Sequence, residues 1–135
     1  MAHKAVHVSG RRKRAIARAT LTEGNGAIRI NHQLLDTYGP KMARLMIQEP
    51  LSIAGDYAKS VNININVLGG GWHAQAEAAR GCIAKALVEY TKNKQLRQNF
   101  LNYDRHLLID DARVNEPAKP NDSGKPRAAR QKSYR

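Results

Sequence analysis

Residues 61–68 read Val-Asn-Ile-Asn-Ile-Asn-Val-Leu, and this strict alternation predicts a strand with Val61, Ile63, Ile65 and Val67 on its buried face. Gly69, Gly70 and Gly71 follow, a turn in which the backbone is free to take φ > 0 and to approach another chain closely. From Trp72 the period changes. Steps of about 100° per residue gather Trp72, Ala76, Ala79, Ile83, Ala86, Leu87 and Tyr90 into one stripe, which predicts a helix lying on the strand's apolar face.

The same patterns order the rest of the chain. Residues 4–9 read as a short strand with Val6 and Val8 on one face. In residues 15–22, small Ala15, Ala17, Ala19 and Leu21 alternate with Ile16, Arg18, Thr20 and Thr22. The turn signal Glu23-Gly24-Asn25-Gly26 precedes a third strand over residues 27–31, with Ile28 and Ile30 inward and Arg29 outward, and the three strands are expected to form an antiparallel meander. Pro40 suits the first turn of a helix whose Met42, Leu45 and Met46 share a face and which Pro50 is expected to stop. Leu96, Phe100 and Tyr103 fall at helical spacing, with Asp104 and Arg105 closing the segment and Leu107, Leu108 and Ile109 adding a last apolar patch.

From about Asn115 the character changes to Pro117, Pro120, Ser123, Gly124 and Pro126 among charges. So few apolar residues cannot offset the entropy of ordering, so residues 1–114 are expected to form the globular domain and residues 115–135 an extended tail. At 135 residues the length suits one such domain.

Charge alters the picture more than composition does. The net charge is +12, but it is segregated: residues 1–20 hold six basic residues and no acid, residues 112–135 hold seven against two, and the middle holds ten against nine. Solubility does not require cations concentrated at both ends. A polyanion rewards them through counterion release, so nucleic acid is the expected partner. Neither basic end forms an apolar-faced helix, which disfavours a membrane surface. No run of about eighteen apolar residues and no leader-like apolar segment occurs, so a soluble, intracellular protein is expected.

The candidate chemistry is that of binding. In residues 11–14, Arg11, Arg12, Lys13 and Arg14 repel one another, and phosphate contact relieves that repulsion. A glycine turn feeding a helix N-terminus suits a phosphate, although it is also what any tight strand-to-helix connection needs. The single cysteine, Cys82, rules out an intramolecular disulfide and reads as a small packed thiol. The five histidines, His3, His7, His32, His73 and His106, lack metal-ligand spacing, and no catalytic motif or phosphate-loop lysine is present. No cofactor, no metal and no enzymatic activity are expected.

Three motifs in order then resemble a known family. These are Gly10-Arg11-Arg12-Lys13-Arg14-Ala15-Ile16-Ala17-Arg18-Ala19; Gly69-Gly70-Gly71 with Gln75-Ala76, Ala79-Arg80 and Ile83-Ala84-Lys85-Ala86-Leu87; and the terminal Gln131-Lys132-Ser133-Tyr134-Arg135. Together they are similar to the ninth small-subunit ribosomal protein in its archaeal and eukaryotic form. The resemblance implies an α+β two-layer sandwich: a mostly antiparallel four-stranded sheet with helices on one face, ordered β-β-β-α-β-α with a left-handed crossover. It implies a structural constituent in the head of the small subunit, in the cytoplasm, beside other head proteins and bound to the 3′ major domain of the ribosomal RNA. Ribosomal RNA contacts would fall to Arg11, Arg12, Lys13, Arg14, Arg18, Gly69, Gly70, Gly71, Gln75, Arg80, Lys119, Lys125, Arg127 and Arg130. Lys132, Ser133, Tyr134 and Arg135 would reach the anticodon stem-loop of the tRNA in the P site. Readings from other classes stay open here: an enzyme binding a nucleotide at residues 69–71, or a free-standing nucleic-acid chaperone.

Overall fold

The computed structural model of the chain describes residues 4–121, 124, 126 and 127. Strands β1 (Val6–Arg12), β2 (Ala15–Glu23), β3 (Ile28–Ile30) and β4 (Gln33–Leu34) come first, followed by helices α1 (Lys41–Ala54) and α2 (Asp56–Lys59), strand β5 (Val61–Leu68), and helices α3 (Trp72–Thr91) and α4 (Lys94–Tyr103). The sheet order is β1-β2-β5-β3-β4. One face carries the helices and the other is open, giving a two-layer α+β fold.

The expected meander does not form. β5 inserts between β2 and β3, antiparallel to β2 and parallel to β3. The turn after β2 shows why. Asn62 Oδ1 accepts the backbone N–H groups of Asn25 and Ala27 at 3.0 Å each, while Gly24 N–H donates to Ser60 O and Gly26 N–H to Val61 O. The turn is therefore wrapped around the start of β5 and delivers β3 to its far side. A fifth strand, β4, extends the expected four. It is joined to β3 by Asn31 and His32, both at positive φ, as a type I′ hairpin demands, and Asn31 also exchanges two hydrogen bonds with the Val67 backbone.

The inward faces are those the alternation predicted. Ala15, Ala17, Ala19 and Leu21 of β2 and Val61, Ile63, Ile65 and Val67 of β5 are all buried. α3 differs from its expected single stripe: Ala74, Ala76, Ala78, Ala79, Gly81, Cys82, Ile83, Ala84, Ala86 and Leu87 are buried, because the helix lies between the sheet, α1 and the short turn Arg105–Leu107. Small side chains permit that closeness. A Cβ on Gly10 of β1 would stand 3.0 Å from both Ala78 O and Cys82 Sγ. Trp72 ends up half-exposed, since it precedes the covered part of the helix.

α1 corrects two expectations. Pro50 does not stop the helix; it lies inside it and is buried. The inward face is Ala43, Ile47, Pro50 and Ala54, spaced by three and four residues, whereas Met42 and Leu45 are exposed and Met46 only partly buried. Packing the smaller side chains inward lets α1 approach the alanine-rich α3, and burial of the Pro50 ring offsets the backbone bond that proline cannot donate. In α4, Asn93 caps the N-terminus through its Oδ1, and Leu96 and Phe100 are buried while Tyr103 is exposed at the helix end. Burying a side chain such as Phe100 or Leu107 contributes about 1.5–3 kcal/mol each.

Candidate nucleic-acid interface

Expected as one basic turn, residues 11–14 are divided by strand geometry. β1 runs on through Arg12, β2 begins at Ala15, and Lys13 and Arg14 alone make the turn, with Arg12 paired to Ala15. Successive strand residues face opposite ways, so Arg11 points to the open side of the sheet and Arg12 to the helix side. Lys13 and Arg14 stand at the tip, both exposed. Arg18, two residues beyond Ile16 on β2, projects from the open face.

Arg12 is held internally. Its Nε donates to Glu77 Oε2 at 2.6 Å, and its Nη1 lies 3.5 Å from Asp111 Oδ2 and donates to the Arg113 carbonyl at 3.4 Å. Arg80 is likewise occupied, with Nε 2.6 Å from Glu49 Oε2 and Nη1 3.0 Å from Asp104 Oδ2. Among the described residues, Arg11, Lys13, Arg14 and Arg18 have no carboxylate partner. The motif thus contains two populations: cations that fasten the fold and cations that face solvent.

The glycines after β5 serve the same corner. Gly69 has φ +77 and its missing Cβ would sit 2.5 Å from Arg14 O; Gly70 has φ +66 and its Cβ would meet Ala15 N at 3.1 Å. The close approach anticipated from the three glycines is therefore made to the chain's own hairpin. Gly71, with open space around it, begins α3 without a side-chain cap. Gln75 Nε2 donates to Gly69 O at 3.0 Å and closes the turn. The result is a rigid corner where the tip of Lys13 and Arg14 lies beside the α3 N-terminus, with the His73 imidazole exposed and Trp72 set edge-on to it at a centroid distance of 5.4 Å. Fixed cations beside a helix's free N–H groups form a surface of positive potential suited to phosphate oxygens.

Behind this corner a strap made by residues 110–113 crosses the end of β1. Lys85 Nζ bridges Asp110 Oδ1 at 2.6 Å and Ser9 O at 3.2 Å. Asp111 is gripped by Arg113, and hydrogen bonds from the Arg113 side chain and then its backbone, with Arg12 nearby, hold the Asp111 carboxyl well below the usual carboxylate range. Burial pushes Asp104 up, but bonds from His106 N–H and Arg80 outweigh it and the net shift is downward. Burial drives the Cys82 thiol up to about 12, and its Sγ donates to Ala17 O at 3.2 Å. No sequence signal marked these ion pairs, since apart from Asp111 and Arg113 the partners lie tens of residues apart.

Residues 111–119 have neither helix nor strand; Lys119 is exposed, and Arg127 is bonded to Glu116. Lys125, Arg130, Lys132, Ser133, Tyr134 and Arg135, expected as contacts, lie outside the described residues. Among the described residues no cluster of His, Cys, Asp and Glu has the geometry of a metal site, and no helix is long and apolar enough to cross a membrane.

Fold and site together define a small basic α+β protein that displays unpaired cations from a hairpin while the carboxylates behind it, Glu77 and Asp111, are engaged by Arg12 and Arg113. The chain belongs to the ribosomal protein S9/S16 family, whose model matches residues 10–135. It is 49% identical over 133 residues to the small ribosomal subunit protein uS9 of Methanococcus vannielii, covering 98% of this chain and 99% of the relative. The protein of that name from Methanococcus maripaludis strain C7 is 48% identical over the same length.

Proposed function

We propose that this chain is a structural constituent of the small ribosomal subunit, in the cytoplasm, where it binds ribosomal RNA of the 3′ major domain and meets neighbouring proteins of the head. The observation that carries the reading is the hairpin corner: Arg11, Lys13 and Arg14 have no acidic partner among the described residues, Lys13 and Arg14 on a two-residue turn braced by Gly69 and Gly70 and Arg11 in the strand that leads into it. A turn whose backbone is already fixed loses little backbone freedom on contact, so more of the free energy of counterion release appears as affinity. Residues 132–135 extend this reading to the tRNA. Lys132 and Arg135 supply charge, Ser133 a hydroxyl and Tyr134 a ring, a set suited to the anticodon stem-loop of P-site tRNA.

The test is a pair of variants in reconstituted small subunits. Replacing Arg11, Lys13 and Arg14 by alanine lowers the slope of log affinity for ribosomal RNA against log salt by roughly 2–3, at nearly one unit per phosphate contact. Deleting residues 132–135 leaves incorporation intact and weakens retention of P-site tRNA. An unchanged slope in the first variant overturns the hairpin's role, and unchanged tRNA retention in the second overturns the tail's.

A further inference from the structure

Of the open face of the sheet, only Arg11 at the end of β1 belongs to the hairpin corner. Across it, register places His7, Thr20, Asn64 and Arg29 side by side in one row and Ser9, Arg18 and Asn66 in the next. Arg18 and Arg29 stand two strand spacings apart across the sheet and one row apart along it, about 12 Å. Both are exposed, and neither has a carboxylate partner among the described residues. None of the outward side chains in these rows is acidic. Grooves of about 420 and 450 Å³ meet at His32 and Asn66 and run along the face.

Asn64 and Asn66 have no structural explanation. Asn62, the first of the three alternating asparagines, is accounted for by the turn it organises. The side chains of Asn64 and Asn66 make no hydrogen bond with a described residue, although they occupy the strand between β2 and β3, where asparagine is disfavoured and valine or threonine would be more stable. A local rule broken twice on the same exposed face, without compensation inside the chain, marks a surface kept for a partner.

We propose that this face docks an RNA double helix, through arginine contacts to phosphates and amide contacts to ribose hydroxyls. The chemistry selects that occupant. Positive charge without acids matches a polyanion, and an amide, donor and acceptor at once, pairs with a 2′-hydroxyl in either sense. A splayed single strand would need stacking rings, but these rows offer no Phe, Tyr or Trp. A protein partner would favour an apolar centre, whereas the large exposed apolar side chains here lie at the margins, Ile16 and Leu68 side by side at one end and Leu34 on the edge strand β4 beside Arg29. The inference rests on the proposed function in that the chain must meet structured RNA, yet it assigns a separate surface.

The test compares two open-face variants, Arg18→Gln/Arg29→Gln and Asn64→Val/Asn66→Val, with an alanine variant of Lys13 and Arg14, the two turn residues. All are full-length, with folding checked by thermal melts, and the probes are small-subunit ribosomal RNA, a paired RNA duplex, and a DNA duplex of the same sequence. The arginine variant is expected to lose about tenfold in affinity for the RNA probes and to lower the salt slope by roughly 2. The asparagine variant is expected to melt higher and to lose the preference of RNA duplex over DNA duplex. Open-face variants that bind like the parent while the hairpin variant weakens would overturn this inference and leave the proposed function standing. The converse would retain the open face and overturn the hairpin reading. Equal binding of DNA and RNA duplexes by the parent, stronger binding of single strands, or a crosslink from position 64 to a ribosomal protein in assembled subunits would each overturn the inference.

Discussion

Arg12 Nε stands 2.6 Å from Glu77 Oε2, so a residue that reads as part of an exposed basic run is fastened to the second turn of α3. Its side chain is only 17% exposed, and the same guanidinium reaches the strap at Asp111. Removing it leaves Glu77 without its arginine and takes from Asp111 the weaker of its two guanidinium partners. Arg12→Ala is therefore expected to cost about 2 kcal/mol in urea unfolding while leaving the salt slope of RNA binding unchanged, the reverse of the effect at Lys13 or Arg14. A slope that falls with stability unchanged would place Arg12 on phosphate.

The three consecutive glycines are not equivalent. Gly69→Ala forces a side chain into φ +77 and against Arg14 O, and is expected to destabilise by about 2–4 kcal/mol. Gly71→Ala meets open space at φ −93 and is expected to be neutral within about 0.5 kcal/mol. Denaturant midpoints of the two variants check the contrast, and equal midpoints would refute the close approach to the hairpin.

Asp111 gives the strap a dependence on pH. Its carboxyl is held low by Arg113 first and Arg12 last, so the ion pairs contribute fully above the unfolded carboxylate value near 4 and are lost as pH falls toward the lower native value. Hydrogen exchange of amides in residues 110–113 is expected to quicken, relative to the sheet, as the solution is acidified below about pH 4. Asp111→Asn should show that faster exchange already at neutral pH.

Cys82 lies under β1 with its thiol pushed up to about 12 by burial, Lys85 lowering and Asp110 raising it further. It is expected to resist iodoacetamide in the native protein and to react promptly in urea. A raised native value also means that stability, complete below the ordinary thiol value, declines as the solution is made more alkaline than about pH 9. Cys82→Ser should flatten that decline, and rapid native alkylation would show the site to be open.

The limits of a linear reading appear at particular residues. Alternation located the inward faces of β2 and β5 because a strand's period of two is set by the backbone itself. It could not order the strands, since the Asn62 clasp that routes β3 past β5 is a contact between residues 35 and 37 positions apart. In α1, bulk was a misleading guide: Met42 and Leu45 are larger than Ala43, yet closeness to α3 favours the small residue inward. Pro50 was legible as a breaker only where a broken hydrogen bond goes uncompensated, and here burial compensates it.

By itself the chain's order of residues determined the local periods, the segregation of charge to the ends and the family those motifs mark, because each is a property of neighbours along the backbone. Tertiary structure alone decided which cations are spent on Glu77, Glu49 and Asp104 and which face outward, because a charge is satisfied by whatever folding brings within about 4 Å of it. It also brought Arg18, Arg29, Asn64 and Asn66 onto one open face from three separate strands. Their adjacency comes from pairing across the sheet, and spacing along the chain carries no trace of it.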